Sequence, residues 1–200
     1  MPGRRNGDGL SRPAALSAAE VVALAWPCPS VLTPAALAAA AAGAEAWWGL
    51  AGVLLRWPGD QWAALLVTPS DQVPAGHPLA AGGLEAEVAG CLAVWGSAGP
   101  PDETAGRWLV SELAVRLARR CPAVEAETAV APGAARPLAP SPLWAAAVGF
   151  RPLGFPPRRF RYDLAAGRTA RPWRPAWLRP PAWRRTAPAA LGRSACRDPA

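Results

Sequence analysis

Apolar and polar positions recur along the chain with two different periods, and the changes of period mark out its elements. Ser17-Ala-Ala-Glu20 has capping-box spacing, and Val21, Val22, Leu24 and Ala25 continue it as an apolar stripe that Trp26-Pro27 ends. Thr33-Pro34 reads as an N-cap followed by proline at the first helical position, opening an Ala-rich helix that should stop near Gly43. Two short apolar runs follow, 47–57 and 61–69, and Pro58-Gly59-Asp60 joins them as a hairpin. A Pro/Gly-rich loop from Pro69 to Gly83 separates them from a third strand-like run, 87–96.

After that run the character changes. Residues 97–103 form a Gly-Pro-acidic loop, and the clearest helical period in the chain runs from Ala105 to Arg120. Leu109, Leu113 and Leu117 share one face with Val110 and Ala114 beside them, while Glu112, Arg116, Arg119 and Arg120 take the wet side. Pro122 closes that helix, and 123–131 alternates with period two, as a half-buried strand should. A Pro/Ala loop (132–140) leads to Ser141-Pro142, again an N-cap and first-position pair. The short helix it opens breaks at Gly149, and two apolar, arginine-bearing runs separated by Pro156-Pro157 read as a pair of strands. The predicted order is α α β β β α β α β β. A mixed sheet with helices packed on it is the natural layer solution, giving an α/β (mixed α+β) class.

Two hundred residues suffice for one domain with a real core and are short for two. We place that domain at 10–165. Residues 166–200 alternate Arg, Pro and Trp with no period that could build a core, and are expected to be a disordered or loosely docked tail. Charge sharpens the division. Residues 1–150 carry a net charge of about −3 and residues 151–200 about +10. The chain has no Lys and no Ile but 21 Arg and 11 Trp, a bias that follows GC-rich codons, so arginine abundance alone says little about partners.

Cysteine usage excludes some chemistry. Cys28, Cys91, Cys121 and Cys196 show no zinc spacing, and Cys91 and Cys121 sit in apolar runs where a reduced thiol acts as a small hydrophobe. Arg4-Arg5 is followed by polar residues instead of an apolar stretch, and the longest apolar run, Ala35 to Ala42, is too short for a bilayer. The expected setting is cytoplasmic, reduced and without membrane contact. The single His77, in a Pro/Gly loop, supports neither a Ser/His/Asp nor a Cys/His arrangement.

Two stretches carry a family likeness. TAGRWLVSELAVRLARRCPAVEAE (104–127) resembles the pyrophosphate loop, following helix and fifth strand of the GNAT superfamily of acyl-CoA-dependent N-acetyltransferases, and SPLWAAAVGFRPLG (141–154) resembles its second signature. The terminal FRYDL (160–164) looks like the closing strand. The likeness covers Gly90 to Leu164 best. It implies acetyl-CoA as co-substrate, with backbone N–H groups of Thr104, Ala105, Gly106, Arg107 and Trp108 turned outward to its phosphates and the strand backbone of Ala93, Val94 and Trp95 facing its pantetheine arm. A loop that enters a helix N-terminus favours phosphate on physical grounds as well. The sequence departs from the family where Pro101 and Thr104 stand at the first two key loop positions and Ala145 stands where relatives commonly carry a tyrosine acid. Asp102 and Glu103 also bring negative charge to the loop. Tyr162, the only tyrosine, lies in the last strand.

Glu85 and Glu87 precede the fourth strand of the likeness and are the candidate general bases. The function implied is transfer of an acetyl group to a small-molecule or peptide amine. A second possibility is an inactive binding module of the same fold. A third is a polyanion-binding protein in which Trp173, Trp177 and Trp183, interleaved with Arg, stack on nucleic acid. Trp47, Trp48, Trp57 and Trp62 flank the hairpin, and most of them are expected as core or strand-end anchors.

Overall fold

A computed structural model describes residues 12–24, 26, 32–128, 139–154 and 158–165. The expected tail (166–200), the rest of the alternating run beyond Thr128, Cys28, Cys196 and the tail tryptophans lie outside these residues. The described chain is an α/β protein with a seven-stranded mixed sheet flanked by helices. Its strands are β1 (Ala14–Leu16), β2 (Gly52–Trp57), β3 (Gln61–Pro69), β4 (Ala89–Gly96), β5 (Ala123–Glu127), β6 (Arg151–Leu153) and β7 (Arg159–Asp163). Their spatial order is β1-β2-β3-β4-β5-β7-β6, antiparallel throughout except for the parallel β4–β5 pair.

The helices are α1 (Ala18–Ala23), α2 (Pro34–Trp48), α3 (Pro78–Ala81), α4 (Glu103–Leu117) and α5 (Pro142–Ala147), with one 3-10 turn at Ser70–Gln72. The capping signals locate their starts. Ser17 accepts from Glu20 N–H while Glu20 reaches back to Ser17, and Thr33 and Ser141 cap α2 and α5 through their hydroxyls. The hairpin turn places Gly59 and Asp60 both at positive φ, 79° and 58°, which matches the twist of β2 and β3.

Three expectations are corrected. α2 does not stop at Gly43: it runs on to Trp48 and ends at Gly49 in the left-handed region (φ 74°). Gly43 stays inside the helix because the Gln72 side chain packs where its Cβ would be. Trp48 is thereby buried on the helix, whereas Trp47 is 68% exposed and anchors nothing. The short strand β1 was not expected, since three residues carry no period and only pairing with β2 defines it. β5 is buried on both faces instead of half-buried, with Glu125 only 4% exposed, because residues 70–88 cover its second face.

Two cores sandwich the sheet. On one face Val53, Leu55, Leu65, Val67, Cys91, Val94, Val124 and Phe160 pack against α4 and α5. On the other, Leu16, Leu54, Ala64, Leu66 and Leu92 pack against α1 and α2. β2 and β3 supply both faces, so they read as unbroken apolar runs. Among the described residues, no helix is long and apolar enough to cross a membrane.

Candidate functional site

The sheet forks between β4 and β5. β4 has eight residues, but only Ala89, Gly90 and Cys91 pair with β5, opposite Val124, Glu125 and Ala126. A bulge lies just past the last pair. On β3, Leu66 faces Ala93 and Val67 faces Cys91, so Leu92 is the extra residue. The bulge turns both Leu92 and Ala93 to the α1/α2 face, and Val94 returns to the α4 face. Beyond it, 92–96 run with no strand on their β5 side among the described residues. A strand edge in mid-sheet presents backbone donors and acceptors to whatever enters the fork. Ala93, Val94 and Trp95 stand on this stretch, the first two buried and Trp95 half-buried.

The loop from Gly96 leads into α4. Here the expected outward array of N–H groups is reduced. Asp102 is the N-cap, with its Oδ1 accepting from Ala105 N–H at 2.8 Å and its carbonyl accepting from Gly106 N–H at 2.9 Å. Glu103 and Thr104 supply the remaining first-turn N–H groups, at exposed positions. Gly106 does not form a turn around an anion. It is a helical residue under α5, where an added Cβ would stand 2.6 Å from the Trp144 ring and 2.8 Å from Val148. Arg107 is exposed, donates from Nε to the Ala147 carbonyl at 3.0 Å, and pairs weakly with Glu103. Trp108 packs against the core, and its indole N–H and that of Trp144 are buried with no hydrogen-bond partner among the described residues. A cleft of ≈290 Å³ opens beside the helix start, lined by Trp57, Gln61, Gly96, the loop to Asp102 and Ala105.

The α1/α2 face of the fork is different in kind. Strand register sets Thr68, Gly90, Glu125 and Arg161 in one row across four strands. Over Gly90 lie Val73, Leu79 and Leu84, which occupy the space its missing side chain leaves. Glu125 holds Arg159 at 2.5 Å and Arg161 at 3.4 Å, and Arg159 also donates to the carbonyls of Gly82 and Gly83. Thr68 Oγ1 is buried without a hydrogen-bond partner among the described residues.

Glu85 pairs with Arg161 at 3.2 Å on the surface, its side chain 73% exposed, and Glu87 is exposed before β4. Neither stands on the fork. Glu127 does: it is the first β5 residue past the last β4–β5 pair, half-buried, on the same face as Glu125 and opposite Arg159 in register. The alternation of Ala-Val-Glu-Ala-Glu held this signal, since period two places both glutamates on one face. Ala145 is buried with no ionisable group to offer. Burial raises the Tyr162 hydroxyl above its usual range, and its ring lies 5.4 Å from Phe150. His77 caps α3 through Nδ1. Desolvation pushes the Cys91 thiol up to about 12 and Cys121 to about 11, so both stay protonated at neutral pH. Among the described residues no His, Cys, Asp and Glu group could hold a metal ion.

No family model, no curated protein and no solved structure matches this chain.

Proposed function

We propose that the chain is an acetyl-CoA-dependent N-acetyltransferase of GNAT-like fold. The fork carries this reading: a mid-sheet opening, a bulge at its apex and a free strand edge suit an extended, amide-bearing arm. The backbone of Ala93, Val94 and Trp95 would hold the pantetheine amides. At the phosphate end, only the Glu103 and Thr104 N–H groups and the Arg107 charge are on offer, with Asp102 and Glu103 opposing them, so that end fits less well than the arm. When bound, acetyl-CoA supplies a thioester whose carbonyl carbon bonds to the acceptor nitrogen as the C–S bond breaks, the sulfur leaving as a thiolate that takes its proton from water.

Glu127 accepts the proton that the acceptor nitrogen loses, a role its place at the fork suits better than those of Glu85 or Glu87. Calorimetric titration with acetyl-CoA, followed by thiol release with added amines, tests the proposal. Binding in the micromolar range is expected, and no binding at millimolar acetyl-CoA would sink it. A non-catalytic binding module is the second reading, favoured by Asp102 occupying the helix start and by Gly106 serving α5.

A further inference from the structure

Three tryptophans follow one another on the α1/α2 face, Trp95 on the free stretch of β4, Trp62 on the neighbouring β3 and Trp26 against Trp62. Trp26 and Trp62 meet at 5.5 Å between ring centroids with 59° between planes, and the Trp26 indole N–H donates to the Val21 carbonyl at 2.8 Å, which fixes its ring. Trp95 pairs directly with Ala64, and Trp62 lies two residues earlier on β3, so Trp62 and Trp95 are diagonal neighbours on one face. Trp95 stands on the stretch of β4 that has outrun β5. Leu92 and Ala93, turned to this face by the bulge, continue the apolar floor. Behind Trp26 an apolar groove of ≈440 Å³ lies between α1 and α2, lined by Val21, Val22, Leu24, Pro34, Leu37 and Ala38. Those lining residues include no charged side chain. Glu20, the nearest acid in sequence, is tied up in its own capping box and in a pair with Arg56.

We propose that the acceptor is a primary amine carried on a flat aromatic or otherwise apolar body, with that body against Trp95 and Trp26 and the amine toward Glu127. This rests on the acetyl-transfer reading of the same fork. The physical case is one of matching. Tryptophan faces and an uncharged groove reward an apolar ring, whereas a polyamine gains at most an ammonium-on-indole contact and must strip water from its other charges with no carboxylate in the groove lining to meet them. The one polar group such an acceptor needs to present is the amine itself.

Saturation-transfer NMR with 2-phenylethylamine and with spermidine, each with and without acetyl-CoA, tests the proposal alongside thiol release. 2-Phenylethylamine should bind through its ring protons and be acetylated in preference to spermidine. Trp95→Ala and Trp26→Leu should each weaken it about ten-fold, with Trp95→Phe restoring most of the loss. If Trp95→Ala does not fold, as judged by circular dichroism, Trp26→Leu carries the same comparison. Equal or better use of spermidine overturns the proposal, and so does unchanged 2-phenylethylamine affinity in the folded variants. Acetyl-CoA that binds while 2-phenylethylamine does not overturns the aromatic acceptor alone. 2-Phenylethylamine that binds while acetyl-CoA does not overturns acetyl transfer and leaves the aromatic site standing.

Discussion

The two halves of the sheet meet the same question on the α1/α2 face and answer it with opposite chemistry. From β1 to β4 that face is apolar, Leu16, Leu54, Ala64, Leu66 and Leu92, and two helices cover it. From β5 to β7 it carries Glu125, Arg159, Arg161 and Asp163, and residues 70–88 cover it, tied down by Arg159 and Arg161. Apolar burial is non-directional and tolerant, whereas a charge cluster holds only while every member keeps its partner. The first half should therefore fail globally when it fails. The second should open locally at its cover first. The fork lies at the join.

Leu66→Ala, which hollows a fully buried position on the α1/α2 face of the first half, should cost about 3 kcal/mol, seen as a lower denaturant midpoint with the slope unchanged. Arg159→Met should cost about 2 kcal/mol, less than a fully buried pair because the Arg159 side chain keeps 22% of its exposure. Its distinguishing mark is local: amide exchange in residues 79–90 should accelerate far more than in β2 and β3. Pairing it with Glu125→Leu should recover part of the loss. Equal acceleration everywhere would erase the contrast between the halves.

Gly106→Ala tests the opposite face, where α4 meets α5 and the new Cβ would crowd the Trp144 ring and Val148; about 1–2 kcal/mol is expected, with a shift in the Trp144 environment seen by fluorescence. The smallest effect belongs to the α1 cap. Ser17→Ala should cost about 1 kcal/mol. The Glu20 carboxyl is held below 4.5, first by the Ser17 backbone N–H. A lowered folded pKa stabilises above the unfolded value and fades as pH falls through the folded one. The stability gap between wild type and Glu20→Gln should thus be full near neutrality and vanish in acid, as followed by thermal melts across that range.

What the sequence made legible was local. Ser17, Thr33 and Ser141 start their helices by bonds that span three residues, and Gly59-Asp60 sets the hairpin by its own φ values. The alternation through β5 was real, but its burial was not readable because the cover comes from residues far upstream. Gly43 misled because a glycine at a helix contact looks the same as one at a helix end. The stretch from Asp102 to Gly106 is subtler: a phosphate loop and a capped helix packed under a tryptophan share the same letters. Only Trp144, far along the chain, decides what Gly106 packs against. The fork could not be read from periodicity, since the length of a parallel pairing is a property of two strands and not of either; only the family likeness pointed to the stretch Ala93 to Trp95.

That pairing has a consequence for how the chain is made. β1 to β4 form a meander of sequence neighbours, each hairpin closing over a short or moderate span, and α1 and α2 that cover them precede or interrupt the same stretch. The four strands and the two helices that cover one face of them are complete by about residue 96, while α4, which covers the other face, and β5, β6 and β7 are still to come. The early half can therefore collapse on its own local contacts during synthesis. β7 must then slot between β5 and β6 after both exist, and Arg159 arrives late to fasten a cover already waiting.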